Sequence, residues 1–218
     1  MLDKPVEAVI FDMDGLLIDT EAVYLEAYQA AAALMEVQLP LAFCHSLIGR
    51  PSPDCDRLIQ EFLGPAFELD VFNDHADGHA ARALEANVPV KPGAVELLAF
   101  LAERGLPLAV ATSSSRRTAE RHLGQAGLLG HFHALATRDD VVRGKPHPDL
   151  YLEAARRLGV APERCLAFED SNHGLTAAHA AGAIAVMVPD IVPPTDEVRA
   201  KCAAVLPDLH AALALLRA

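Results

Sequence analysis

Four short segments carry side chains able to do chemistry. Asp12-Met13-Asp14-Gly15 sets two carboxylates two positions apart, and Thr112-Ser113 offers hydroxyls. Gly144-Lys145-Pro146 supplies one ammonium, and Glu169-Asp170 adds two adjacent carboxylates. The first, second and fourth segments each end an apolar run of strand type, and the lysine stands just ahead of a helical pattern. In an open parallel sheet, ligands bind beyond the carboxyl ends of the strands, so these tips are expected to converge on one edge. Unpaired, three or four carboxylates there would repel one another and shift upward in pKa. A hard cation offsets that repulsion, and oxygen donors with room for water suit Mg2+. Taken singly, each residue has an ordinary reading. Asp12 and Asp14 would be turn residues before Gly15, Thr112 a helix N-cap, Lys145 a solvated surface side chain, and Glu169-Asp170 partners of a helix dipole. Their order and their shared edge argue against taking them singly.

The elements that must position these groups are legible as patterns. Residues 6–11 (VEAVIF), 107–112 (PLAVAT), 165–168 (CLAF) and 184–188 (IAVMV) are apolar and bounded by turns or polar tips. Residues 133–137 (HALAT) form a weaker run. Apolar runs without alternation fit strands covered on both faces of a parallel sheet. Helical patterns over 94–104, 116–126, 148–158 and 174–181 each close on glycine, a left-handed cap signal. Alternating strand and helix predicts right-handed crossovers and a three-layer, Rossmann-like α/β sheet. From 20 to 87 the rhythm breaks: no convincing strand occurs, and 21–35, 53–62 and 68–86 read as helices. The expected organisation is a catalytic core from 1–17 and 88–218, with an α-helical module from 18–87 inserted after the first strand. Residues 210–218 read as a last packed helix.

The chain has 218 residues. At about 150 residues per domain, one core with an inserted module fits better than two equal domains. Lys and Arg number 18 against 30 Asp and Glu, a net charge of −12, which argues against non-specific nucleic-acid binding. Cys44, Cys55, Cys165 and Cys202 are scattered without a C-x-x-C pair, as expected of thiols in a reducing compartment. The first apolar run is too short for a signal peptide or a membrane span, so a cytoplasmic protein without membrane contact is expected. No P-loop or dinucleotide-binding glycine pattern is present. His75 and His79 lie four apart beside Asp74 and Asp77, but a zinc site needs a third ligand, and a solvated helix face is the better reading. His147 reads equally as a helix cap or a contact near the lysine.

Phe11-Asp12-Met13-Asp14-Gly15, Thr112-Ser113, Gly144-Lys145-Pro146 and Phe168-Glu169-Asp170-Ser171, in that order, resemble the four motifs of haloacid dehalogenase-like phosphohydrolases, over nearly the whole chain. The inserted stretch resembles their α-helical cap domain. The resemblance implies Asp12 as nucleophile, forming an aspartyl-phosphate, and Asp14 as general acid and then base. It implies Thr112 and Ser113 as phosphate holders and Lys145 as the neutralising cation. Mg2+ would be held by Asp12, the Asp14 carbonyl and Asp170, with Glu169 as a ligand or just behind one. Dehalogenases of the family lack the second aspartate, and phosphonate-cleaving relatives use a cap lysine that residues 20–42 do not contain. The nearest resemblance is to the branch of β-phosphoglucomutase and small sugar- or nucleoside-phosphate phosphatases. There Gly49-Arg50 matches a cap loop that meets substrate. The mutase has a histidine where Tyr24 stands, and lysine-asparagine where Ser115-Arg116 stand. A phosphatase acting on a small phosphorylated metabolite is therefore expected ahead of a phosphomutase. A non-catalytic phosphate- or metal-binding module is the alternative from another class. Nothing demands an oligomer, and a monomer is expected. Arg50→Ala is expected to raise KM for the true substrate more than for p-nitrophenyl phosphate. Equal effects on both would remove Arg50 from a specificity role.

Overall fold

The computed structural model describes residues 5–47 and 52–217. β1 (Ala8–Phe11) comes first, followed by α1 (Thr20–Leu34), α2 (Leu41–Leu47), α3 (Ser52–Leu63) and α4 (Leu69–Ala86). Then come α5 (Ala94–Glu103), β2 (Leu108–Ala111), α6 (Arg116–Gln125), β3 (Ala134–Ala136), α7 (Asp149–Leu158) and β4 (Cys165–Glu169). The chain closes with α8 (Asn172–Ala180), β5 (Ile184–Met187), α9 (Asp196–Arg199), β6 (Ala204–Val205) and α10 (Leu209–Arg217). Two compact units result: residues through Ile18 and from Pro89 onward, and Asp19–Val88.

The first unit is a parallel sheet in the order β3-β2-β1-β4-β5-β6. Strand order reverses at β1: β2 and β3 extend to one side, β4 to β6 to the other. That reversal places the ligand-binding crevice of such a sheet at the tips of β1 and its neighbours. The register pairs Phe11 with both Val110 and Phe168. The ladder runs on as Asp12 N–H donates to the Phe168 carbonyl at 3.0 Å and Thr112 N–H to the Ala136 carbonyl at 2.9 Å. Asp12, Thr112 and Glu169 are thereby delivered to one end of the sheet.

Alternate residues of β1 face opposite sides and all four are buried, so both faces of the strand are covered. On one face, small strand residues (Ala8, Ala109, Ala111, Ala136 and Ala167) let Leu150, Tyr151, Ala154 and Ala155 of α7 pack close, with Leu175 and Ala178 of α8 beside them. On the other, Phe11 stacks on Phe168 with ring centres 5.3 Å apart and meets the edge of Phe132 at 6.2 Å. Gly159, with φ at 69°, takes the left-handed conformation that closes α7.

The second unit is built of helices among its described residues. α1 packs on α4, and Ala27, Ala31, Ala76 and Ala80, spaced four apart on each helix, belong to one buried cluster with Phe72 and Ile59. Tyr28 stacks on Phe72 at 5.9 Å. No helix among the described residues is long and apolar enough to cross a membrane. Three elements, α2, α9 and β6, escape the sequence patterns, each being seven residues or shorter. The weak run at 133–137 does form a strand, β3.

The β3 edge is fastened by Asp140. Its carboxylate accepts from Thr137 N–H at 2.8 Å, Thr137 Oγ1 at 2.7 Å, Arg116 Nη2 at 2.8 Å and Arg157 Nη2 at 2.7 Å. Burial would raise this carboxyl, but Arg157, Thr137 and Arg116 outweigh it and hold it well below the usual carboxylate range. Asp140→Ala is expected to cost about 2 kcal/mol in urea unfolding, the scale of hydrogen bonds to a charged group. Because the folded-state pKa is depressed, this stabilisation stands in full above the ordinary value of 3.8 and is lost as pH falls below it. A difference between wild type and variant that holds unchanged at pH 2.5 would contradict the ion-pair origin.

Candidate active site

β1 ends at Phe11 and hands Asp12 to the sheet edge; β4 ends at Glu169, one strand away. Two carboxylates from neighbouring strand tips need a positive partner, and the segment before α7 provides it. The Lys145 ammonium, its side chain 7% exposed, donates to Asp12 Oδ1 and to Glu169 Oε1, the latter at 2.5 Å. Glu169 is wholly buried. Its Oε1 also accepts from the Tyr151 hydroxyl at 2.5 Å, and its Oε2 from Ser171 Oγ at 3.1 Å and Ser171 N–H at 3.4 Å. Ser171 is the N-cap of α8, its Oγ accepting from Gly174 N–H at 3.1 Å.

The charges act on one another. Burial pushes the Asp12 carboxyl up to about 7, with Glu169 and Asp14 adding to the rise and Lys145 opposing it. Burial alone would lower the Lys145 ammonium, but Asp12 and Glu169 reverse that and raise it. The site thus gathers three carboxyl groups, those of Asp12, Glu169 and Asp170, against one ammonium, a surplus of acidic groups.

That surplus is the test for a metal. Asp12, Glu169 and Asp170 bring carboxylate oxygens within 4.8 Å of one another, all three residues buried. An all-oxygen donor set with excess negative charge suits a hard divalent cation, so the residues present fit one. His75 and His79 join no such group among the described residues.

Asp14, two residues beyond Asp12, has different company. Its Oδ2 accepts from Ser114 Oγ at 2.9 Å and Thr112 Oγ1 at 3.3 Å. Thr112 also accepts from Ser114 N–H at 3.0 Å, while the cap of α6 is Ser115, which accepts from Thr118 N–H at 3.2 Å. Thr112 is thus part of the site and not the helix cap. Ser113 is exposed beside it. His147 is exposed and the N-cap position of α7 is Pro148, so the histidine caps nothing. Gly49 and Arg50 lie outside the described residues. The structure thus brings Asp12, Asp14, Thr112, Lys145, Glu169 and Asp170 to one sheet end. Two further participants, Ser114 and Tyr151, were not read from the sequence. Ser114 is one of three consecutive serines, and Tyr151 occupies a packing position of α7.

A family model, haloacid dehalogenase-like hydrolase, matches residues 6–182. The chain belongs to the haloacid dehalogenase-like hydrolase family. It is similar to the Phosphorylated carbohydrates phosphatase of Thermotoga maritima, 35% identical over 81% of this chain and 82% of that one. It is also similar to Hexitol phosphatase B of Escherichia coli K12, 32% identical over 85% of each chain. Among solved structures, a HAD family hydrolase from Deinococcus radiodurans R1 with bound phosphate and sodium superposes with a TM-score of 0.83. The two are 30% identical, over 98% of this chain and 96% of that one. This haloacid dehalogenase-like hydrolase is accordingly an enzyme built on the six-stranded parallel α/β core of its family.

A divalent cation at a hundredfold its Kd is expected to add about 2.7 kcal/mol of stability. With Mg2+ as the probe, the melting temperature of the wild-type hydrolase should rise and return to its starting value with EDTA. Asp170→Asn should lose most of that rise. A wild-type melting temperature indifferent to Mg2+, Mn2+ and EDTA would exclude a metal at these carboxylates.

Proposed function

We propose that this hydrolase is a Mg2+-dependent phosphatase that removes phosphate from a small monoester of sugar, polyol or nucleoside type through an aspartyl-phosphate on Asp12. The observation that carries the reading is the unequal environment of Asp12 and Asp14. The Asp12 carboxylate is buried against an ammonium, and the Asp14 carboxylate, two residues away, accepts from the hydroxyls of Ser114 and Thr112.

Lys145 takes Oδ1 of Asp12 and so orients the carboxylate; the other oxygen attacks phosphorus, and the bond from phosphorus to the leaving alkoxide breaks. Asp14 gives the alkoxide its proton. It then removes a proton from the water that attacks the aspartyl-phosphate, releasing phosphate and restoring Asp12. Thr112 Oγ1 and the Ser113 N–H hold phosphoryl oxygens, and Lys145 offsets the charge that accumulates on them. The carboxylates of Asp12 and Asp170 and the Asp14 carbonyl would hold Mg2+, which would supply positive charge to the carboxylates and to the phosphoryl group. Glu169, both of whose oxygens already accept from protein donors, is assigned to Lys145 and not to the metal.

The mutase alternative is disfavoured at two positions. Ser115 is engaged in capping α6, and Arg116 donates to Asp140 and to the Leu135 carbonyl. Both are committed to the core's own structure where the mutase has lysine and asparagine. The names of the relatives support a phosphorylated carbohydrate or polyol. We place the enzyme in the cytoplasm, in keeping with four cysteines that form no disulfide.

Phosphate release from a panel of phosphorylated metabolites is expected with Mg2+ and not with EDTA, and Asp12→Asn is expected to abolish it while the protein stays folded. Wild-type-like hydrolysis by that variant would rule out the covalent route. Conversion of β-glucose 1-phosphate to the 6-phosphate, with little release, would replace the phosphatase by the mutase.

A further inference from the structure

Glu169 is held from every side. Lys145 and Tyr151 share Oε1, and Ser171 donates twice to Oε2. The first turn of α8 closes over the carboxylate so tightly that a Cβ on Gly174 would stand 2.0 Å from its Cδ and from both oxygens. No other residue could occupy position 174 without moving the carboxylate. Tyr151 is 1% exposed, in a cluster with Leu150, Ala154 and Ala155. A phenylalanine would fill that apolar space equally well, so packing accounts for the ring and not for the hydroxyl. The hydroxyl donates to Glu169, and the centre of the same ring lies 5.5 Å from the Lys145 ammonium.

We propose that Tyr151 is a positioning residue for the reaction: by donating to Glu169 it fixes the carboxylate that orients Lys145. The reason is competition for donors. Glu169 and Asp12 both draw on one ammonium, and each proton that Tyr151 and Ser171 give Glu169 lessens its demand on Lys145. Without the Tyr151 hydroxyl, Glu169 draws the ammonium toward itself and away from Asp12 and the transferring phosphoryl group. The loss then falls on the transition state, where negative charge is greatest, and spares ground-state binding. This inference rests on the phosphatase reading for its kinetic form.

The test is Tyr151→Phe, which keeps the ring. Loss of one such supporting hydrogen bond is expected to lower kcat about tenfold, with KM within about twofold. Orthovanadate, which takes the five-coordinate geometry of phosphoryl transfer, is expected to bind about tenfold more weakly. In a Glu169→Gln background, Tyr151→Phe should weaken vanadate no further. Full kcat and unchanged vanadate affinity, with only a lowered melting temperature, would make Tyr151 a packing residue and overturn the proposal. An equal further loss in the Glu169→Gln background would do the same, because Tyr151 would then act independently of Glu169. A wild-type enzyme silent against every phosphate ester would instead strike the phosphatase reading. Vanadate affinity by calorimetry needs no turnover and would still decide for or against Tyr151.

Discussion

One ammonium between two buried carboxylates constrains this molecule more than any other contact. Asp12 and Glu169 follow from adjacent parallel strands whose register brings both to the same sheet end. Taking such charges out of water costs several kcal/mol each, and removing one partner of a buried pair costs about 3–5 kcal/mol because the other is stranded. Lys145 must therefore arrive from elsewhere in the chain and arrive accurately. It stands 133 residues from Asp12, so the pair ties the first strand to the segment that leads into α7. Whatever fixes α7 also fixes the charge balance of the site.

Asp140 is what ties that helix and its neighbour to the sheet edge. Arg157 in the last turn of α7 and Arg116 at the start of α6 converge on this one carboxylate, and both also donate to the Leu135 carbonyl on β3. α7 has ten residues and so spans about 15 Å. Its anchor therefore sits at the end opposite Lys145. α6 begins directly after the 112–115 hydroxyl run, so the same carboxylate bears on where Thr112 and Ser114 meet Asp14. Electrostatics remote from the chemistry thus sets two of the segments that surround it.

The strand tips were legible in the sequence because a parallel strand buried on both faces is an unbroken apolar run, and its first polar residue marks the sheet edge. Asp12 and Glu169 were found that way, and Lys145 through its place before a helical pattern. The division of labour within a tip was not legible. Thr112, Ser113, Ser114 and Ser115 all carry hydroxyls, yet backbone direction alone makes two of them partners of Asp14, one exposed and one a helix cap. Glu169 and Asp170 are neighbours in sequence and both reach the carboxylate cluster, yet it is Glu169 that accepts from Tyr151. Tyr151 itself was invisible because its spacing is that of a core position, and its partner lies 18 residues further on in another element. β6, two residues long, is below the length at which any periodicity exists.

In the proposed reaction, the two aspartates differ in the one respect that matters for their roles. A nucleophilic carboxylate must remain ionised inside a buried site, and burial drives Asp12 the other way. Only positive charge corrects that, which is why Asp12 has the ammonium and lies within the carboxylate cluster suited to a cation. An acid that later serves as base must give up a proton and take one back. The Ser114 and Thr112 hydroxyls orient Asp14 for that task. Two aspartates separated by one methionine therefore meet different partners, an ammonium for the one and hydroxyls for the other, and the proposed division of roles follows that difference.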